Sequence, residues 1–317
     1  MAEMVMGLGS SHGSQVSIGP ERWGKHGELD RKRTRFDELT ADAPQWLDDE
    51  LTPDVWQRKY EAVQAAVAEA GRTLTELAPD VLIVFGDDQA ELYAEANIPA
   101  IAVFWGDEVL DIPRDMTNVP PSRAAGMWAK HAPTESAYPV PAKLGLHVIE
   151  HLVSEGFDIA QMKEQPARKS IGHAFTFVRL RLMGDRLIPM LPVMLNTYYP
   201  PNQPPARRCY ALGQAIRDAV RSWPEDLRVG VVASGGLSHF VVDEELDRGV
   251  LDAIARNDAD YLRAIPEHKL QSGSSEIKNW IVAAAALSDL NFEVIDYVPG
   301  YRSAAGTGCG MAVARWS

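Results

Sequence analysis

Short apolar runs of strand length alternate along the chain with longer stretches in which apolar residues recur at helical spacing. Helical spacing is clearest after Thr52-Pro53, a typical helix start. The runs predicted as strands are residues 4–9, 81–85, 98–104, 188–198, 227–233, 292–297 and 311–315. The stretches predicted as helices are 53–77, 143–154, 208–223, 244–264 and 275–287. This alternation predicts an α/β sandwich, and because no linker or repeat divides it, we expect one domain over residues 1–317.

Two segments lack this periodicity. The roughly forty residues after His12 are polar and charge-rich, which predicts a solvated excursion around Asp30 and not a binding surface. Residues 107–141 are rich in Pro, Asp and Ala, and we predict long loops there, over the surface or over a site.

The composition allows a full core and narrows the choice of partners. Of the 317 residues, 46% are hydrophobic and 24% are charged, and the formal net charge of −13 argues against nucleic acid or an anionic membrane as the main partner. Cys209 and Cys309 are the only cysteines, which favours a reducing compartment over a disulfide framework. No signal-like N-terminus and no apolar run of about 18 residues is present. We therefore expect a cytoplasmic protein that does not span a membrane.

Polar side chains suited to chemistry follow the ends of three predicted strands: His12, the pair Asp88 and Gln89, and His239. Ligands in open α/β sheets collect beyond the carboxyl ends of the strands, so we expect these groups to converge. Glu276 follows a serine-rich run at the start of an apolar helix, where the helix dipole favours a carboxylate. Histidine and carboxylate ligands with open positions are what a non-haem iron oxygenase requires.

Three other sequence motifs each lack a residue that their usual function requires. Residues 7–12 begin like a dinucleotide fingerprint, but His12 occupies the position of the third glycine. Ser238 lacks the following glycine of a hydrolase nucleophile elbow, because Phe240 stands there. His147 and His151 stand four residues apart, a spacing that can hold a metal, but no third ligand is evident and we favour a structural role.

Six segments in combination resemble the LigB-like family of type III extradiol ring-cleavage dioxygenases, whose best-known member is the catalytic subunit of protocatechuate 4,5-dioxygenase. They are residues 9–12, 80–89, 170–173, 208–213, 235–239 and 272–280. The resemblance runs through nearly the whole chain. It implies a LigB-like α/β fold, a single-domain sandwich with a central mixed sheet flanked by helices.

Carried over by position, the resemblance makes His12 the first metal ligand and Glu276 the carboxylate ligand. His239 matches the acid/base histidine of the family, and His173 is similar to a second active-site histidine near substrate and oxygen. The implied cofactor is Fe(II), which binds both hydroxyl oxygens of a catechol and keeps a position for O2. A neutral histidine then takes a catechol proton and returns it as the ring opens. The implied substrate is a small catechol-like or gallate-like aromatic diol, and both atoms of O2 enter the product.

One position departs from the family pattern. Where the best-known members carry the second histidine ligand, an ungapped match places Gln89, preceded by Asp87 and Asp88. Gln89 is a weak neutral oxygen donor, so either it completes the metal shell or the metal shifts to Asp88, which gives one histidine and two carboxylates. Two other interpretations therefore stay open: an inactive relative that binds a ligand or partner, and a zinc hydrolase on the same scaffold.

The sequence says less about substrate and assembly. Residues 305–307 offer little polar chemistry for the acid group of a substrate, which leaves Tyr301 and Arg302 as nearby candidates for an acidic or aromatic substrate. We expect a homo-oligomer. The small helical partner subunit of some relatives is not evident in this chain and would have to be a separate one.

Overall fold

A computed structural model describes residues 1–32, 34–94, 96–117 and 119–317. The strands are β1 (Glu3–Ser10), β2 (Val81–Asp87), β3 (Ile101–Phe104), β4 (Glu108–Asp111), β5 (Ser136–Pro139), β6 (Ala160–Met162), β7 (Met190–Leu195), β8 (Arg228–Ser234), β9 (Phe292–Tyr301) and β10 (Gly308–Trp316). Eight of them form one sheet in the order β6-β3-β7-β2-β8-β1-β10-β9, and β4 pairs with β5. The predicted α/β fold with a central mixed sheet is confirmed.

The helices flank this sheet. They are α1 (Ser14–Ser17), α2 (Trp23–Gly27), α3 (Phe36–Ala41), α4 (Leu47–Glu50), α5 (Pro53–Leu77), α6 (Pro121–Ala124), α7 (Ala142–Ser154), α8 (His173–Phe177), α9 (Ala206–Arg221), α10 (Glu244–Ala255), α11 (Ala259–Ala264) and α12 (Ile277–Ala286). Short 3₁₀ turns occupy Pro20–Arg22, Glu28–Lys32, Met127–Ala129 and Ser272–Glu276, and a π-helical turn follows α8 at Val178–Leu182. Among the described residues, no helix combines the length and apolar character needed to cross a membrane.

The longest helix, α5, forms where the sequence predicts it. The hydroxyl of Thr52 accepts a hydrogen bond from the backbone N–H of Val55, and Pro53 occupies the first helical position, where no N–H is needed. The buried stripe of α5 includes Val63, Val67 and Leu74, and the helix packs against β9 and β10.

The position of the candidate site is set by the central strands of the sheet. Strands β1, β8, β2 and β7 pair in parallel, whereas β10 and β3 join them antiparallel. All seven residues of β2 are buried, as expected for a parallel strand covered on both faces. Ser10 lies opposite Ser234, and Phe85 lies opposite Ala233. The carboxyl ends of β1, β8 and β2 therefore meet at one edge of the sheet.

Two expectations about the irregular segments need correction. Residues 107–141 are not loop throughout, because β4 and β5 pair there around Asp111, whose carboxylate accepts hydrogen bonds from the Tyr138 hydroxyl and the Ala132 N–H. Asp30 is not solvated. It is fully buried and forms an ion pair with Arg302, with 2.8 Å between Arg302 Nε and Asp30 Oδ2. The two residues lie far apart in the sequence.

We predict that Gly213→Ala lowers the free energy of unfolding by about 1–3 kcal/mol, because a methyl group at this position overpacks the contact between α9 and α12. A Cβ atom at Gly213 would lie 2.1 Å from the carbonyl oxygen of Val282 in α12. Urea denaturation measures the effect. Asp218→Ala, on an exposed position of the same helix, is the control and is expected to change stability by about 0.5 kcal/mol or less. Equal stabilities of the two variants would contradict close packing here.

Candidate metal centre and cavity

His12 stands two residues beyond β1 and is held in one tautomer. Its Nδ1 lies 3.0 Å from the hydroxyl oxygen of Ser234 at the end of β8. That hydroxyl donates its own hydrogen to the Ala174 carbonyl at 2.6 Å, so towards His12 it can only accept. The proton of neutral His12 is therefore on Nδ1. The lone pair of Nε2 remains available for a metal, and the Ser234 contact orients the ring as outer partners of metal-binding histidines do.

Glu276 is the last residue of the 3₁₀ turn that leads into α12. Its Oε2 accepts a hydrogen bond from the Gly236 N–H at 2.7 Å and lies 3.4 Å from His12 Nε2. The apolar residues of α12 are buried against the sheet, including Trp280, which fixes the start of the helix beside the end of β8. The serine-rich turn thus delivers a carboxylate to the point where β1 and β8 end.

Asp87 supplies a second carboxylate. It is the last residue of β2, and it is completely buried. Its Oδ1 lies 4.0 Å from His12 Nε2. Asp87 is not among the residues predicted from the sequence, because the apolar run that predicts β2 ends at Phe85. The strand runs two residues further, which brings Asp87 level with the ends of the neighbouring strands.

These three side chains form a candidate metal centre, which we call the His-Asp-Glu centre: His12, Asp87 and Glu276. One ligand atom from each lies within 4.8 Å of the others. In the part of the chain that the structure describes, His12 Nε2 and Asp87 Oδ1 have no hydrogen-bond partner although both are buried. Buried polar atoms without partners are rare, and a bound cation would satisfy both.

Two buried carboxyl groups, those of Asp87 and Glu276, lie close together in the centre. Burial, and next the nearby Glu276 carboxylate, raise the pKa of Asp87. Burial also opposes ionisation of Glu276, but His239 and His12 hold the pKa of this carboxyl well below its usual value. Two carboxylates this close repel one another, and a divalent cation between them would remove the repulsion.

The two residues after Asp87 have different surroundings. Both Asp88 oxygens accept backbone hydrogen bonds from the following loop, Oδ1 from Leu92 at 2.8 Å and Oδ2 from Tyr93 at 3.2 Å. The side-chain nitrogen of Gln89 lies 3.0 Å from Asp87 Oδ2 and 3.3 Å from Glu276 Oε1. Gln89 therefore lies beside the centre and donates to its carboxylates, whereas Asp88 is occupied in shaping the loop.

His239 borders the same centre. Its Nδ1 lies 2.9 Å from the Leu237 carbonyl oxygen, and its Nε2 lies 3.3 Å from Glu276 Oε1. Burial by itself lowers the pKa of His239, but the Glu276 carboxylate and next Cys309 more than offset this and raise it well above its usual value. The ring lies directly over Gly273, where a Cβ atom would be 1.9 Å from His239 Cδ2, so a glycine is needed for this approach.

His173, at the start of α8, is another histidine beside the centre. Its ring meets that of His12 edge-on, with 4.7 Å between the centroids. Its Nδ1 lies 2.8 Å from Glu91 Oε1, and the Glu91 carboxylate also accepts from the His173 backbone N–H. Burial disfavours the Glu91 anion, yet the contact with His173 lowers its pKa below the usual range. Glu91 carried no signal in the sequence, because its partner is 82 residues away.

A cavity of about 560 Å³ opens onto these groups. Its walls include His12, Glu276, Gln89, His173 and His239. The volume falls in the range of small-molecule sites and accommodates one substituted aromatic ring. The predicted histidines and Glu276 therefore lie around one space.

The remaining candidates lie elsewhere or are occupied. Arg302 also lines the cavity, but its guanidinium is paired with Asp30. The Tyr301 hydroxyl lies 3.0 Å from Glu244, outside the cavity walls. His147 Nε2 lies 2.9 Å from the Ala219 carbonyl oxygen and connects α7 to α9, as its predicted structural role requires.

The chain is similar in sequence to known dioxygenases. A gallate dioxygenase of Pseudomonas putida is 33% identical over 161 residues, which are 46% of this chain and 46% of the relative. A 2,3-dihydroxyphenylpropionate/2,3-dihydroxicinnamic acid 1,2-dioxygenase of Comamonas testosteroni is 25% identical over 180 residues, 56% of this chain and 49% of the relative. The match thus spans about half the length of these two relatives.

A longer alignment joins the chain to a protein of the second kind. The 2,3-dihydroxyphenylpropionate/2,3-dihydroxicinnamic acid 1,2-dioxygenase of Rhodococcus sp is 23% identical over 248 residues, 76% of this chain and 69% of the relative. Residues 49–311 match the family described as the catalytic LigB subunit of aromatic ring-opening dioxygenase. This match covers most of the chain, including Asp87, His173, His239 and Glu276. The chain therefore belongs to the family of catalytic LigB subunits of aromatic ring-opening dioxygenases.

Proposed function

We propose that this protein is an Fe(II)-dependent extradiol dioxygenase that opens the ring of a small aromatic diol with O2. The observation that carries the proposal is the His-Asp-Glu centre on the wall of a cavity that also contains His239 and His173. The family supports it, and so do the relatives, whose names state dioxygenase activity on gallate and on dihydroxylated phenyl acids.

The donor set fits a divalent metal. One neutral histidine and two carboxylates are ligands that iron accepts, and His12 Nε2 and Asp87 Oδ1 are buried without partners among the described residues. When bound, Fe(II) would acidify the hydroxyl groups of the diol and relay electrons from the diol to O2. We propose His12, Asp87 and Glu276 as the ligands.

His239 is proposed as the acid/base residue. The Glu276 carboxylate would raise the pKa of His239 less strongly once it ligates a cation, and the neutral ring, with its Nδ1–H donated to the Leu237 carbonyl, then has its acceptor at Nε2. Nε2 lies at the cavity wall beside Glu276, within reach of a hydroxyl group bound there. This nitrogen can take a proton from the diol and return it when the ring opens.

His173 is proposed as a second site residue. The Glu91 carboxylate accepts from its Nδ1–H, which leaves Nε2 as the acceptor atom. Because the Glu91 side chain also accepts from the His173 backbone N–H, one carboxylate holds both the ring and the backbone of His173. The ring can therefore orient the substrate and limit the water that enters beside His12.

The metal affinities of three variants test whether Asp87, Asp88 or Gln89 is the third metal ligand. We expect Asp87→Asn to weaken Fe(II) binding about 10–100-fold or more, because it removes a charged ligand. Asp88→Asn should leave affinity within about threefold, since its oxygens bind the loop backbone. Gln89→Leu should have an intermediate effect through its two carboxylate contacts. Competition with a metal-sensitive dye measures all three. A larger loss in Gln89→Leu than in Asp87→Asn would instead support Gln89 as the ligand.

The activity itself is tested by loading the protein with Fe(II) without oxygen and then following O2 uptake with a panel of catechols and gallate. We expect substrate-dependent uptake and a ring-opened, coloured product. No uptake with any diol would overturn the proposal. Metal analysis of protein purified without added metal addresses the alternatives: iron supports this proposal, zinc supports a hydrolase, and an empty site supports a binding protein.

We also propose that residues 1–317 act as one catalytic domain, because one contiguous apolar core extends from Ala2 to Trp316. The homo-oligomer and the small helical partner subunit stay predictions. Light scattering on the purified chain measures the oligomeric state.

A further inference from the structure

Asp247 is a completely buried carboxylate that the proposed chemistry does not use. It lies in the first turn of α10, the helix that follows the loop carrying His239. Burial raises the pKa of Asp247 to about 6, although hydrogen bonds from Ser238 and Tyr297 favour the anion. The side chain is therefore predominantly charged at neutral pH. A buried charge is costly unless it is hydrogen-bonded, and Asp247 accepts three hydrogen bonds.

The residue before His239 donates two of these bonds. The backbone N–H of Ser238 donates to Asp247 Oδ1 at 2.7 Å, and the Ser238 hydroxyl donates to Oδ2 at 2.7 Å. The same hydroxyl accepts from the Asp243 N–H at 2.8 Å. The third bond comes from Tyr297 in β9, whose hydroxyl donates to Asp247 Oδ2 at 2.7 Å. Asp247 therefore connects the loop of His239 to both α10 and β9.

One peptide group links Asp247 to the ring of His239. The N–H of Ser238, which Asp247 accepts, and the carbonyl of Leu237 belong to the same trans peptide, in which the two groups point in opposite directions. That carbonyl oxygen lies 2.9 Å from His239 Nδ1, nearer than the Cys309 Sγ at 3.9 Å. Because the carboxylate fixes the N–H, it also directs the carbonyl at the ring, and it makes this carbonyl a stronger acceptor.

We propose that Asp247 is a positioning residue for His239, which it orients through the peptide between Leu237 and Ser238. In a direct pair of aspartate and histidine, the carboxylate accepts the Nδ1–H itself and so fixes the tautomer and the direction of the ring. Here the carboxylate orients a carbonyl that accepts the Nδ1–H, which keeps Nε2 as the acceptor atom beside Glu276. The catalytic part of this inference rests on the acid/base role of His239 in the proposed function, whereas the positioning of the ring does not.

The kinetic test is Asp247→Asn, which keeps the shape of the side chain and an acceptor for the Ser238 N–H but removes the charge. We expect the turnover number in O2 uptake to fall about 10–100-fold, the size of one charge-assisted hydrogen bond, with KM and Fe(II) affinity within about threefold of wild type. In the His239→Asn background the same change should lower turnover by no more than about twofold further, because its effect passes through that ring. Asp252→Asn, at an exposed position of α10, is the matched control and should behave like the wild type.

A chemical probe tests the positioning without turnover. Diethyl pyrocarbonate acylates accessible neutral imidazole nitrogens, and peptide mapping by mass spectrometry gives the rate at each histidine. We expect the rate at His239 to rise at least about threefold in Asp247→Asn, because the ring is less restrained once its carbonyl partner can turn away. The rate at the exposed His268 should stay unchanged. Asp252→Asn should change neither rate.

Ser238→Ala is a second variant, in case Asp247→Asn does not fold in a thermal melt. It removes one of the two bonds from Ser238 to Asp247 and leaves the backbone bond in place. We expect it to lower turnover about 3–10-fold and to raise the rate of acylation at His239.

The outcomes separate this inference from the proposed function. Turnover of Asp247→Asn within about twofold of wild type, or reductions that multiply in the double variant, would overturn the kinetic part. An unchanged acylation rate at His239 in the folded variants would overturn the positioning itself, whether or not any diol is turned over. A faster rate at His239 in a protein that takes up no O2 with any diol would remove the dioxygenase and keep the positioning.

Discussion

Glu276→Gln is expected to weaken Fe(II) binding by about 100-fold or more and to abolish O2 uptake with any diol. The amide keeps the shape of the side chain but removes the charge that faces His12 at 3.4 Å. It also removes the negative neighbour that raises the pKa of His239. The Glu276 carboxylate has both effects because it lies between His12 and His239.

Metal titration and O2 uptake are measured on the same preparation. Glu155→Gln, on an exposed position outside the cavity, is the control and should match the wild type in both. The glutamine oxygen can still accept from the Gly236 N–H, so the variant should fold. Metal affinity of Glu276→Gln within about threefold of wild type would remove Glu276 from the ligand set.

His239→Asn is expected to lower the turnover number by about 10²–10⁴-fold while one Fe(II) per chain stays bound. Asparagine can still donate to the Leu237 carbonyl through its amide nitrogen, so the loop keeps its anchor. It lacks an atom at the position of Nε2, which is the proposed proton acceptor. The loss should therefore fall on turnover and not on metal binding.

Steady-state O2 uptake and metal content measure the two parts of this prediction. His268→Asn, at an exposed position, is the matched control and is expected to leave both unchanged. Turnover of His239→Asn within about tenfold of wild type would contradict the acid/base role. Loss of metal together with turnover would instead indicate that His239 acts as a ligand.

The sequence by itself determined the fold class and most of the cavity histidines. Continuous apolar runs predict buried parallel strands, and chemistry beyond their carboxyl ends is a general property of such sheets. His12 and His239 come three and six residues after such runs, so their proximity could be expected from local pattern alone. Glu276 could be expected for a similar reason, because a serine-rich turn and an apolar stripe mark the start of its helix.

Only the tertiary structure decided which acidic residues face the centre. Asp87, Asp88 and Glu91 lie within five positions of one another, and nothing in their local sequence distinguishes them. The register of β2 with β7 and β8 extends the strand to Asp87, while the turn that follows directs Asp88 to its own backbone and Glu91 to His173. Strand register and turn direction depend on distant segments of the chain, so they cannot be predicted from local sequence patterns.

The ion pair between Asp30 and Arg302 has the same origin. Arg302 looked available from sequence, but a residue 272 positions away neutralises it. Lys130 and Arg123 looked like loop residues, but the pairing of β4 with β5 brings their segment over the cavity. Apolar periodicity is a pattern over a few neighbouring residues, so it predicts individual helices and strands. Charge pairing acts across the folded chain, so its partners are known only once the elements have packed.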